Sequence, residues 1–125
     1  MNIQKENSLR NTWGKYTNSW SETEVTKRLA IFKECLATDC LYTDPLIQTI
    51  GHEALSNYVT QFQSTVKGGR FVITEFMEHH DQSLAHWNMV GAGGAVLGTG
   101  ASFGVYSPDG RLQKITGFFK VPSGN

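Results

Sequence analysis

The chain changes its hydrophobic period once, near Arg70, and that change limits the folds open to it. Before Arg70 apolar residues return every three to four positions, and after it they return every second position. Helices first and strands afterwards predict an α+β domain, in which helices cover one face of a sheet. With 125 residues and 39% hydrophobic content, the chain is expected to form one domain over residues 1–125, ordered from roughly 8 to 120.

A weak amphipathic stretch from Leu9 to Trp20 predicts the first helix. Ser21-Glu22-Thr23-Glu24 has the Ser-x-x-Glu form of a capping box and predicts the start of a second. Its stripe of Val25, Leu29, Phe32 and Leu36 is expected to be buried, with Lys27, Lys33 and Glu34 in water. Leu55, Tyr58, Val59, Phe62 and Val66 predict a third helix, stopped by Gly68-Gly69. Strands are expected at Arg70–His80, Ser83–Gly91, Ala95–Ser107 and Leu112–Phe119, because these runs are rich in aromatic or β-branched residues. Turns at Asp81-Gln82, Gly91-Ala92-Gly93-Gly94 and Pro108-Asp109-Gly110 would join them into an antiparallel meander.

Charge narrows the partners. Lys plus Arg and Asp plus Glu both number 11, so no electrostatic footprint for nucleic acid or an anionic membrane is present. No run approaches the length of about eighteen apolar residues that a membrane helix needs. Cys35 and Cys40 are the only cysteines, and the opening residues Met1 to Asn7 are polar rather than signal-like. A reduced, cytoplasmic protein is the expectation. Gly91-Ala92-Gly93-Gly94 lacks the Lys-Ser/Thr end of a phosphate loop, so no nucleotide cofactor is expected.

The residue most suited to chemistry is Asp44, in Leu41-Tyr42-Thr43-Asp44-Pro45. Proline disfavours the helical region for the residue before it, so Asp44 is expected at the end of a short strand, aimed by fixed backbone. An apolar pocket penalises a charged carboxylate, so burial among Tyr42, Trp13 and Phe119 would suit Asp44 to carrying a proton. The alternative is a local role, an Asx turn in which the side chain binds nearby backbone.

A second feature is a strand face that is almost bare. Gly98, Gly100, Ser102 and Gly104 alternate with Leu97, Thr99, Ala101, Phe103 and Val105. Such a face serves either a close-packed helix or a space for a ligand. If Ala85-Trp87-Met89 and Ile115-Gly117-Phe119 point to the same side, aromatic walls would surround a hollow floor. Histidine gives no comparable signal. His79 and His80 are adjacent and point to opposite faces, one of them inward, while His86 lies on the face opposite Trp87. No His-x-His or His-x-x-x-His spacing puts two on one face, so no metal site is expected.

The Tyr42-Thr43-Asp44-Pro45 segment, the helix start at Gly51-His52-Glu53-Ala54-Leu55 and the Asp109-Gly110-Arg111-Leu112 turn leading to Gly117-Phe118-Phe119 resemble the nuclear transport factor 2-like superfamily. The SnoaL-like branch is the most similar, over roughly Trp13 to Phe119. The resemblance implies a cone-shaped α+β barrel: three helices closing on a strongly curved, mixed, mostly antiparallel sheet around a deep apolar pocket. It also implies a homodimer through the outer sheet face. In the ketosteroid isomerases of this superfamily, an aspartate base works opposite a tyrosine and a protonated aspartate. Asp44 matches the base, Ser102 stands where the second acid would be, and Trp13, Tyr16 or Trp20 stands for the helix-one tyrosine. The Asp-Arg-Asp set of the superfamily's epoxide hydrolases has no counterpart.

The resulting expectation is a cofactor-free isomerase or cyclase acting on an apolar, carbonyl-bearing small molecule. Asp44 would be the base, with Tyr16 or Ser102 as donor. Trp13, Trp20, Tyr42 and Tyr58 would line the ligand site together with Phe62, Trp87, Met89 and Phe119. A non-catalytic module that binds a small hydrophobic molecule or a partner chain is the alternative.

Overall fold

Three helices, α1 (Ile3–Ser19), α2 (Val25–Cys35) and α3 (His52–Thr65), pack on a six-stranded sheet in the computed structural model, which describes residues 3–121. The strands are β1 (Leu36–Asp44), β2 (Ile47–Ile50), β3 (Arg70–His79), β4 (Gln82–Val90), β5 (Val96–Tyr106) and β6 (Leu112–Phe118). They lie in the order β2-β1-β6-β5-β4-β3. All neighbours are antiparallel except β1 and β6, which run parallel and make the sheet mixed. The result is the curved, open α+β architecture that the change of period and the resemblance imply.

Local chemistry accounts for most element ends. Gly51, at φ 89°, starts α3, and Gly68, at φ 72°, turns the chain after it, both in conformations that side chains resist. The β3–β4 hairpin turns on His80 and Asp81, at φ 50° and 58°. Two positive-φ residues match the right-handed twist of the flanking strands. This tip sits one residue earlier than the Asp81-Gln82 expectation.

Three sequence expectations are corrected. The helix α2 begins at Val25, with Glu24 at the cap position and its N–H bonded to the Glu22 carboxylate (3.1 Å). Ser21 does not cap it; its hydroxyl donates instead to the Asn18 carbonyl at 2.9 Å. Val25 is 48% exposed, and the helix face that goes inward carries Arg28, Phe32 and Cys35. Leu36, placed by its spacing on that helix, is the first residue of β1. The strand β2 was not anticipated, because four residues between two helical patterns give too short a period to read.

Arg28 is wholly buried and forms no ion pair among the described residues; the charge of Glu22 helps it keep its proton without touching it. Its five N–H protons make six hydrogen-bond contacts, one proton being shared: two to the Glu22 carbonyl, two to Ser56, one to Thr60 and one to Gln63. Gln63 Nε2 in turn donates to the carbonyls of Trp20 and Glu22 (3.0 and 2.8 Å). Burial lowers the affinity of Arg28 for its proton, and the five acceptor atoms offset that cost. One side chain thus ties the α1–α2 connection to α3.

The core lies between sheet and helices. Leu9, Trp13, Phe32, Leu36, Leu55, Leu112 and Ile115 are at most 2% exposed. A register shift between Ile73 and Glu75 inserts one residue into β3, so Phe71, Ile73 and Phe76 all pack against this core despite their uneven spacing. At Gly104 the bare strand face is filled: a Cβ there would stand 2.9 Å from Leu112 Cδ2 and 3.2 Å from the Trp13 ring. At Gly98 the nearest atom to such a Cβ is Met89 Cε, at 3.7 Å. The two readings of this face divide along its length, close packing at one end and open space at the other.

Candidate functional site

The open end of that face is the floor of a cavity of about 550 Å³. Its walls come from every layer: Trp13, Tyr16 and Trp20 from α1 and the turn after it, Tyr58 and Phe62 from α3, Phe71 from β3, and Trp87 and Met89 from β4. Trp20 is the hub of the aromatic wall, with ring centroids of Tyr42, Tyr58, Phe62 and Phe71 5.5–6.0 Å away. These contacts tilt or meet edge-to-face, the favourable arrangements for aromatic pairs.

Asp44, the last residue of β1, enters this cavity and is 7% exposed. Its two oxygens do different work. Oδ1 accepts the backbone N–H groups of Leu46 (2.8 Å) and Ile47 (3.2 Å), which is an Asx turn around Pro45. Oδ2 accepts the phenol protons of Tyr42 (2.6 Å) and Tyr58 (2.8 Å). The local role and the cavity-facing role weighed from the sequence therefore coexist on one side chain.

The phenols hold their protons tightly. Burial, then the charges of Tyr16 and Asp44, pushes Tyr42 well above the ordinary tyrosine range. Burial and the hydrogen bond to Asp44 push Tyr58 the same way. Tyr16, hydrogen-bonded to the Trp20 side chain, is raised chiefly by burial. Around neutral pH all three are neutral, and Tyr42 and Tyr58 are the two that donate to Asp44.

Ser102 lies across Gly117 from Asp44. A Cβ at Gly117 would stand 3.5 Å from Asp44 Cβ and 3.6 Å from Ser102 Oγ, so the missing side chain keeps these two groups on a common floor. Trp87 Nε1 donates to Ser102 Oγ at 3.0 Å. The serine oxygen is thereby oriented, and among the described residues nothing accepts its own proton. Gly100 makes room for this arrangement: a Cβ there would fall 2.4 Å from Trp87 Cζ2 and 2.7 Å from the Phe118 carbonyl.

The structure thus brings Asp44, Tyr16 and Ser102 into one cavity with Trp13, Trp20, Tyr42, Tyr58, Phe62, Trp87, Met89 and Phe119. The histidines are elsewhere. Neither His79 nor His80 faces inward; both are exposed at the β3–β4 turn, their Nδ1 atoms 3.0 Å apart. His86 pairs with Ala101, on the sheet face away from Trp87. His52 Nε2 lies 3.1 and 2.9 Å from the carbonyls of Leu36 and Ala37, so it is the protonated nitrogen and a structural donor. Among the described residues no group of three His, Cys, Asp or Glu converges as metal ligands. Sequence reasoning missed Gln61, Thr65, Leu97, Thr99 and Lys120, which line the cavity from positions exposed to water. Exposed positions carry no periodic signal that marks them as part of a site, and only the packing of α3 against the sheet brings them to the rim.

Fold and cavity together define a cone-shaped α+β protein with one buried acid on an apolar, aromatic-walled floor. Residues 17–119 match the SnoaL-like domain, and the chain belongs to that family. Solved structures show the same fold. A candidate isomerase of the SnoaL-like family from Agrobacterium tumefaciens is 20% identical, with 92% of this chain and 99% of that one covered at a TM-score of 0.84. A candidate polyketide cyclase from Sinorhizobium meliloti is 16% identical (86% and 93% covered, TM-score 0.69). A candidate ketosteroid isomerase from Kribbella flavida is 17% identical (95% and 82% covered, TM-score 0.64). Comparison with curated proteins finds no match. No helix among the described residues is long and apolar enough to cross a membrane.

Proposed function

We propose that this chain is a single SnoaL-like domain that binds an apolar, carbonyl-bearing small molecule and moves a proton on it without a cofactor. The observation that carries this reading is the pairing, across Gly117, of an acceptor carboxylate with an oriented hydroxyl donor at the buried end of an apolar cavity. Asp44 takes a proton from the carbon beside the carbonyl. The C–H electron pair becomes the C=C bond of an enolate, and the oxygen gains charge that the hydroxyl protons of Ser102 and Tyr16 stabilise. Asp44 then returns the proton to another carbon, which is an isomerisation. Alternatively the enolate carbon adds to a second carbonyl of the same molecule and the alkoxide takes the proton, which is a cyclisation. Isomerase and polyketide cyclase are also the activities named for solved structures of this fold, and the fold alone does not choose between them.

A second reading, a binding module without turnover, is favoured by one observation: Asp44 already accepts four hydrogen bonds. The two readings part in a proton-exchange experiment with 2-tetralone, a small apolar ketone with acidic α-protons, followed by NMR in deuterated buffer. Exchange accelerated by the wild type and reduced at least 100-fold in Asp44→Asn, with tetralone still bound, supports the enzyme (on the order of what one acid–base group contributes). Binding without any acceleration supports the module.

The sheet surface away from the helices carries exposed Val72, Met77 and Phe118. Such a patch suits a second copy of the chain, and a homodimer through this face is part of the proposal. Sedimentation equilibrium showing monomer at all concentrations would count against it. Buried, unpaired Cys35 and Cys40 accord with a reducing, cytoplasmic setting.

A further inference from the structure

One charge on the cavity wall is unused by the chemistry above. Lys120 is the only formally cationic side chain among the lining residues, and Asp44 is the only carboxylate. The two differ in burial. Asp44 is buried with all of its hydrogen bonds made inside the protein, whereas Lys120 is exposed and forms no ion pair among the described residues. Most of the remaining lining is apolar, with Trp87, Met89, Leu97 and Phe119 among it. Gly117 touches the Asp44–Ser102 end, and Lys120 follows three residues later, two beyond the end of β6 at Phe118. Three residues of chain span at most about 10 Å.

We propose that the cavity takes an elongated, amphipathic organic anion, its hydrogen-bonding oxygen at the Asp44–Ser102 end and its anionic group against Lys120 at the rim. The inference rests on the cavity being a small-molecule site, as the proposed function has it, and adds the charge and polarity of the occupant. The charge pattern sets the orientation. An anion at the buried end would meet the Asp44 carboxylate with no cation beside it, while an anion at the rim stays partly hydrated and gains a partner. A ligand of drug-like size, up to about 10 Å between its two polar ends, also suits a cavity of about 550 Å³.

The test compares 6-hydroxy-2-naphthoic acid, whose hydroxyl and carboxylate lie at opposite ends of a flat apolar body, with its neutral methyl ester. Affinities are measured by titration calorimetry on the wild-type protein, Lys120→Met and Lys120→Glu. The wild type is expected to prefer the acid by about two- to five-fold, the range of an exposed ion pair. Lys120→Met should remove the preference and Lys120→Glu should reverse it, with the ester's affinity constant within two-fold. Adding 1 M salt should bring the wild-type ratio towards one. An acid-to-ester ratio unchanged by both substitutions overturns the role of Lys120 and leaves the cavity reading intact. No binding of either compound overturns both.

Discussion

Asp44 shows how one side chain joins architecture to chemistry. Oδ1 closes the Asx turn that ends β1, and Oδ2 faces two phenols within the cavity. The turn fixes where the carboxylate stands, so the phenols do not have to. Tyr42 is buried and Tyr58 is half-buried, so the two donors differ in what they contribute to folding. Tyr42→Phe removes a buried hydrogen bond to a charged group and should cost about 2 kcal/mol in urea denaturation, and Tyr58→Phe about 1 kcal/mol. Tyr58→Phe also frees one lone pair of Oδ2, so tetralone exchange should be at least as fast as in the wild type. A loss of exchange in Tyr58→Phe with Asp44 in place would instead make the tyrosine the proton carrier.

At the scale of elements, the sequence disclosed what period and turn chemistry can encode. The third helix, the four-strand meander and the glycine face all follow from spacing, and so does the direction of Trp87 and Met89 along β4. Asp44 could be singled out because Pro45 sets its backbone. Arg28 could not, because a charged residue reads as exposed and its acceptors lie some thirty positions away on α3. The position of Phe76 was equally hidden, since the irregularity after Ile73 is a property of strand pairing rather than of sequence alternation. Arg28 holds Gln63, and Gln63 holds the carbonyl of Trp20 at the centre of the cavity wall. Lysine has no fork to reach Ser56, Thr60 and Gln63 together. Arg28→Lys should therefore lose about 2–4 kcal/mol of stability by chemical denaturation. A change below about 0.5 kcal/mol would mean that water replaces the network at no cost.

At the scale of the whole molecule, two thiols and four phenols are held out of water. Burial raises the thiols of Cys35 and Cys40 from 9.0 to about 12, and raises Tyr16, Tyr42, Tyr58 and Tyr106 above their ordinary range. For each, the folded state holds the proton more tightly than the unfolded chain does. Their contribution to stability is thus complete below the unfolded values and is lost as pH rises towards the folded ones. Denaturation midpoints should be insensitive to these six groups up to about pH 9 and should fall steeply between pH 9 and 12; a flat profile across that window would place the thiols in water. The same exclusion of water leaves the Asp44–Ser102 floor as the polar end of an apolar cavity, and on this the functional account stands. A crystal structure of the protein with 2-tetralone tests it most directly. The account predicts the ketone oxygen within about 3.2 Å of Ser102 Oγ or Tyr16 Oη, a hydrogen-bond distance, with an α-carbon facing Asp44 Oδ2. Tetralone bound only on the outer sheet, or a cavity closed over by its own side chains, would contradict it.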